Sequence, residues 1–233
     1  MKRIILAVTG LLLVTCLNAQ TLEEIVKKYS VANKLDKLST LSSIKITAKT
    51  SAMGSEMPVE LWMKNPNKIK SVTTVQGQQI VQVFDGEKGY MINPMMGSSD
   101  PIEMNPEQVK QTLKTSLFQN PMANYLKNGQ LTLEGEEKVN EKPVFKVKAS
   151  LDGGNTSYIF IDKESFLVLK TSATMSQGGQ TFTMESFPSD YTETNGVFLP
   201  MKTTISMGGM EMVTTFDKVE VNIPMEDSVF KVK

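Results

Sequence analysis

The chain has 233 residues, with 25 basic and 25 acidic side chains, no histidine and one cysteine. Its balanced charge and near-absence of arginine argue against a nucleic-acid partner, which calls for bidentate guanidinium contacts and a basic stripe. Without histidine there is no Ser-His-Asp or Cys-His catalytic arrangement and no His-ligated metal, and a single cysteine excludes a disulfide framework.

Residues 1–19 read as an export signal. Lys2 and Arg3 form the charged start, Ile4 to Leu17 the apolar run, and Asn18-Ala19 places a small residue before Gln20. The run is too short to favour a permanent membrane span. A second reading takes Leu13-Val14-Thr15-Cys16 as a lipobox that would acylate Cys16, although threonine is a poor residue before that cysteine. Cleavage after Ala19 is the favoured expectation, with a periplasmic location. The remaining chain, residues 20–233, would hold 23 lysines against 25 acidic residues, a formal charge of −2, with no arginine or cysteine. A chain of this size buries roughly 70% of its unfolded surface, so a single domain over 20–233 is expected.

The first helix is expected from Thr21-Leu22-Glu23-Glu24, a capping box followed by Leu22, Ile25, Val26 and Tyr29 at helical spacing. Glycine turns then divide a long run of strands. Folding about Gly54-Ser55 brings Ala52 to Met57, Ala48 to Leu61 and Ile46 to Met63. Gly77-Gln78 sets Val75 against Ile80, in strands apolar on both faces. Asp85-Gly86, between the strands ending at Phe84 and beginning at Tyr90, reads as turn chemistry. Asn105-Pro106-Glu107 is a cap with an N1 proline, opening a helical segment through Val109, Leu113, Leu117, Phe118 and Tyr125 that Gly129 closes.

Strands resume beyond it. Asp152-Gly153-Gly154-Asn155 would join Val147 to Phe160 and Ala149 to Tyr158. A turn at Gly178-Gly179 pairs Met175 with Phe182 and Ala173 with Met184. The sharpest case is Gly208-Gly209, which pairs Met207 with Met210, Ile205 with Met212, Thr203 with Thr214 and Met201 with Phe216. All of these fall on one face, as a hairpin with one buried side demands. The reading is a mainly β fold: a curled antiparallel sheet of about ten or eleven strands, a half-barrel covered by two or three helices.

Catalysis is not expected. There is no phosphate-cradling glycine loop or dinucleotide fingerprint. Glu134, Glu136 and Glu137 fit a solvated hairpin, and Asp152-Gly-Gly-Asn155 lacks the spaced ligands of a calcium loop. No cofactor and no metal is expected. Methionine is the distinctive feature, with fifteen of sixteen beyond residue 19. Two readings stay open for the inward ones: core filler, or an adaptable cavity wall that accepts acyl chains. The candidate cavity residues are Met57, Leu61, Met63, Met175, Phe182, Met184, Met201, Ile205, Met212 and Phe216. Val109, Leu113 and Leu117 form the candidate lid, and Met91, Met95 and Met96 the candidate rim.

Lys64-Asn65-Pro66-Asn67-Lys68-Ile69, followed by Phe84-Asp85-Gly86 and Tyr90-Met91-Ile92-Asn93-Pro94, resembles the LolA/LolB-type lipoprotein-sorting carriers. Ile161-Asp162-Lys163, Asn195 to Pro200 and Val219 to Phe230 are similar to its distant relatives. The chain also resembles a non-catalytic C-terminal domain of some secreted insulinase-type zinc peptidases. The first resemblance implies a half-barrel with a helical lid that holds the acyl chains of a lipoprotein in the periplasm. It also implies a lid-holding residue before Pro66, where the family's arginine is replaced by Asn65, and Ile69 stands for the family's aromatic. The expected function is an envelope lipid- or lipoprotein-binding carrier or chaperone. The alternative is a non-catalytic interaction or sensor module, with a filled core and a patch including Trp62 and Tyr90, accessory to a peptidase in one version.

Overall fold

The computed structural model describes residues 20–114, 116–151, 154–177 and 180–232. The leader, Cys16, Gly178-Gly179 and Asp152-Gly153 lie outside them, and so does the side chain of Met175. The chain begins with α1 (Leu22–Ala32) and α2 (Leu35–Thr40). The capping box of α1 is formed: Thr21 Oγ1 accepts from the Glu24 amide and Glu24 accepts from the Thr21 amide.

Two antiparallel meanders follow. The first is β1 (Ser43–Ala52), β2 (Ser55–Lys64), β3 (Lys68–Val75), β4 (Gln78–Phe84), β5 (Gly89–Asn93) and β6 (Ser98–Glu103). After α3 (Pro106–Lys114) and α4 (Pro121–Lys127) come β7 (Leu131–Val139), β8 (Lys142–Ser150), β9 (Thr156–Asp162) and β10 (Val168–Gln177). The last three strands are β11 (Gln180–Thr194), β12 (Val197–Met207) and β13 (Met210–Val221). Pairing of β1 with β13 joins the meanders into one curled sheet of 13 strands, with β6 and β7 as its open edges.

The fold class is as the sequence suggested, with more elements. The segment from Asn105 to Gly129 is two helices, because Asn120-Pro121 repeats the Asn-Pro start: Asn120 Oδ1 caps the Ala123 amide. The six-residue α2 is too short to carry a periodic signal, and β6 is a short edge strand interrupted by Pro101.

Three registers also differ. Chain reversal falls on Met53-Gly54 and Gln76-Gly77, each with both residues at positive φ. Glycine is therefore the second turn residue, as type I′ geometry prefers. Ala48 meets Val59, Ile46 meets Leu61, Ile44 meets Met63, and Thr73 meets Ile80. This two-residue shift keeps the inward face inward. At the β8–β9 connection the shift is one residue, so Val147 meets Ile159 and Ala149 meets Ser157. Phe160 and Tyr158 are thereby turned away from the concave side, where Phe160 packs with Val139 and Val144. The pairs Met207–Met210, Ile205–Met212 and Thr203–Thr214, and Met175–Phe182 and Ala173–Met184, stand as expected.

The concave face holds two buried clusters. One gathers Ile44, Ile46, Met63, Ile69, Val197, Leu199 and Val219 under Leu38 and Phe118. The other packs Phe145, Val147, Ile159 and Ile161 under Ile25, Val26 and Met122. The chain end closes the structure from β1: Ser42 N donates to Asn222 Oδ1, and Ser43 Oγ to the Ile223 carbonyl. The final 3-10 turn, Asp227–Phe230, lies against β3 with Phe230 fully buried. Lys64 and Lys68 both reach Asp227, at 2.7 and 2.8 Å.

Two predictions follow from this packing. A Cβ on Gly89 would sit 2.9 Å from both Met104 Sδ and Val109 Cγ2, so the glycine admits α3 to the sheet edge. Gly89→Ala should cost about 1–3 kcal/mol in urea unfolding, as over-packing does. Hydrogen bonds from Lys64 and Lys68 hold the Asp227 carboxyl at about 2. A depressed carboxyl adds stability above its unfolded value of about 3.9 and loses it as pH falls through the folded one. Asp227→Asn should therefore make the fall in urea midpoint between about pH 4 and 2 shallower than in the parent, with the difference shrinking in added salt.

Candidate functional site

The helices lie as a lid over part of the concave face. Phe118 is buried against the β1–β2 core, and the Leu117 amide donates to Met63 Sδ at 3.5 Å. Between this lid and strands β11 and β12 lies a cavity of about 310 Å³. Tyr29 of α1, its C-cap residue Asn33, Leu38 of α2 and Leu117 wall it from above, while Tyr191 and Phe198 wall it from the sheet. Its size is at the lower end of small-molecule sites.

The polar groups of this cavity are tied to the frame. Asn33 is buried and donates to the Tyr29 carbonyl at 2.9 Å. The Tyr191 ring stacks on Phe198 at 5.7 Å, and its hydroxyl donates to the Val168 carbonyl at 3.1 Å. Burial pushes both the Tyr29 and the Tyr191 phenol above the usual tyrosine range, so both stay neutral at any physiological pH. The wall is therefore uncharged as well as mainly apolar.

Among the described residues, no helix packs on the rest of the concave face. Exposure rises toward the hairpin ends: Met63 is 0% exposed, Met57, Ile205 and Met212 are partly exposed, and Met210 is 52% exposed. The register keeps these residues on one face, with Ala52 opposite Met212 and Ile205 opposite Met212. A strip rich in methionine, alanine and threonine thus leads from the covered core into solvent.

The candidate residues separate into three groups. Met63, Leu61, Met201 and Phe216 pack in the β1-centred cluster, together with Leu113 and Leu117 of the lid. Met57, Met184, Ile205 and Met212 line the uncovered strip, and Phe182 lies farther out, 39% exposed. Val109 packs at the sheet edge beside Gly89. Leu117 is the one candidate that also walls the cavity. Of the rim residues, Met91 borders a second pocket of about 410 Å³ with Met104 and α3, while Met95 and Met96 are exposed on a 3-10 turn.

Tyr29, Asn33, Tyr191 and Phe198 were not singled out as cavity residues. Tyr29 is legible only as a helix position, while Tyr191 follows an irregularity at Asp190 within β11 and Phe198 follows the turn at Asn195, both residues at positive φ. Asp85-Gly86 is a turn, as read. The Asp85 carboxylate accepts from the Lys88 and Glu87 amides at 2.8 and 2.9 Å, and the Lys88 amide foremost holds it below the usual carboxylate range. Asn65 donates to the Leu41 and Ser39 carbonyls at 2.9 and 3.3 Å, tying the β2–β3 turn to the end of α2. Among the described residues, no three or more Asp, Glu, His or Cys side chains are grouped to hold a metal.

No family model matches the chain, and no curated protein matches it. Solved structures do. A LolA superfamily protein from Nitrosomonas europaea aligns with TM-score 0.60 and 14% identity, over 92% of this chain and 99% of that one. An outer membrane lipoprotein-sorting protein domain from Vibrio parahaemolyticus aligns at 0.58 and 11%, over 88% and 97%. A DUF1329 family protein from Desulfovibrio piger aligns at 0.58 and 14%, over 89% and 97%. At such identities the shared property is the overall fold, along most of the chain. The chain shares the fold of these three structures.

Proposed function

We propose that this protein is a non-catalytic carrier or chaperone of the cell envelope that holds acyl chains against the concave face of its sheet. One observation carries the reading: the concave face is apolar and buried beneath the helices, and beyond them it continues as a partly exposed strip of methionine, isoleucine, alanine and threonine. The strip is lined by methionines, whose flexible side chains adapt to varied apolar partners. Beneath the lid, an uncharged cavity of about 310 Å³ offers further apolar wall. The description of one structural neighbour as an outer membrane lipoprotein-sorting domain supports the same ligand class. The export signal read over residues 1–19 supports the envelope location. No helix among the described residues is long and apolar enough to cross a membrane.

The reading assigns roles by position. Met57, Met184, Ile205 and Met212 contact the chain, with Phe182 at the outer end, and Met175 belongs with them by its place opposite Phe182. Leu113 and Leu117 belong to the lid, which Asn65 anchors through α2. Met63, at 0% exposure, acts as the floor on which the lid rests.

Native mass spectrometry of the protein, purified without detergent from a lipoprotein-producing host, tests this. The expected result is a bound mass that extracts into organic solvent as acyl lipid. A clean unliganded mass, with added phospholipid and lipopeptide also failing to bind, would overturn the carrier reading in favour of an interaction module. Met212 is partly exposed, so Met212→Glu should fold normally. The charge it places on the strip should weaken acyl binding by about tenfold or more, since each tenfold is only about 1.4 kcal/mol. Met63→Glu, by contrast, should unfold the protein, because it buries a charge in the core.

A further inference from the structure

The uncovered end of the sheet carries an arrangement that acyl binding does not require. Met207 and Met210 flank the Gly208-Gly209 turn and are directly paired. Met184 is paired with Met207 on the other side. Three adjacent strands, β11, β12 and β13, therefore place Met184, Met207 and Met210 in one row on the concave face. Directly opposed side chains have Cβ atoms about 4.5–5.5 Å apart, and residues two apart on a strand share a face. Met212, two residues beyond Met210, extends the row by one pleat.

These methionines differ from the packing methionines of the same protein. Met63 and Met122 are buried in the two core clusters, and the Met63 and Met104 sulfurs accept hydrogen bonds, from the Leu117 amide and the Thr112 hydroxyl. No hydrogen bond to the Met184, Met207, Met210 or Met212 sulfur is present among the described residues. All four are at least partly open to solvent. The hairpin is also pre-set for close approach: Gly208 and Gly209 have φ of 58° and 83°, the left-handed pair of a tight two-residue turn. A row of solvent-accessible thioethers on a rigid ladder is a poor core, and it is a good set of soft donors.

We infer that Met184, Met207 and Met210, with Met212 as a fourth donor, form a binding site for a soft monovalent d10 cation, Cu(I). Thioethers select Cu(I) over harder divalent ions. The three donors come from three neighbouring strands, so their backbone spacing is set by the sheet before any ion arrives, and the three torsions of each side chain let the sulfurs converge. A thioether has no proton to lose in the physiological range, so the site holds its ion independently of pH. The adjacent side chains Ala173, Ala52 and Ile205 offer no competing hard ligand.

The test is titration of the purified protein with Cu(I), kept reduced by ascorbate under nitrogen and read by native mass spectrometry, with Zn(II) titrated in parallel. One Cu(I) per chain is expected, with no Zn(II) bound at the same concentrations and a copper K-edge spectrum showing a sulfur-only shell. Occupancy should be unchanged from pH 8 to pH 5, where a carboxylate, imidazole or thiolate site would weaken. Met207→Leu/Met210→Leu keeps volume and apolarity, so it should fold and bind acyl lipid as the parent does. It should hold Cu(I) at least about tenfold more weakly, because two soft donors are gone. Met95→Leu/Met96→Leu, at the exposed 3-10 turn, should bind like the parent. No bound Cu(I), equal retention of Zn(II), or unchanged binding by the Met207/Met210 variant would each overturn the site. Its failure would leave the acyl-carrier reading untouched, since that rests on lipid mass and on Met212→Glu.

Discussion

Everything in this molecule depends on the pairing of its first strand with its last. β1 and β13 are separated by almost the whole chain, yet they form the central ladder of the sheet, from Ile44 opposite Val221 to Ala52 opposite Met212. Without that ladder there would be two meanders, each with an additional open edge and an apolar face too narrow to bury itself. With it, the inward residues of both meanders become one concave surface. The polar hinge at Asn222, which bonds to Ser42 and Ser43, locks the same junction from the chain end.

A sheet of 13 strands curls, and its concavity then needs more apolar filling than side chains alone supply. The short helices meet this need at one end. α1 and α4 serve the β7 side, while α2 and the turn after α3 serve the β1 side, with Asn65 and Lys34 tying α2 to the turn and strand around it. Because the helices are short, the cover is partial. A small uncharged cavity is left where the two helix pairs meet β11 and β12, and a methionine-rich strip is left beyond them. The cavity and the open strip thus follow from a mismatch between sheet area and helix area.

Methionine has three different uses in this fold. At Met63 it is buried, and its sulfur accepts a hydrogen bond from the lid. At Met57 and Met212 it forms a half-open apolar wall. At Met184, Met207 and Met210 it is a row of accessible sulfurs across three strands. The same residue type serves as filler, adaptable surface and soft donor because flexibility and polarizability are both present in one side chain. Which use dominates is decided by distance from the helices.

The sequence by itself determined whatever depends on neighbours along the chain. The capping box at Thr21, the Asn-Pro helix start at Asn105, the Asp85 turn and the Gly208-Gly209 hairpin all rest on local hydrogen bonds or local φ values, and each is present. Alternation then told which side of most strands faces inward. It could not resolve a slip of one residue where a loop is longer than two, which is why Ile159 rather than Phe160 meets Val147. Nor could it show that Asn120-Pro121 starts a second helix inside an apparently continuous segment. Only the tertiary structure decided where the cavity lies. Tyr29, Leu117 and the Tyr191–Phe198 pair come from three separate parts of the chain, brought together by the closing β1–β13 ladder and by helices that reach only part of the sheet. No local pattern encodes such a meeting, because its cause is the shape left over when all the long-range pairings are made.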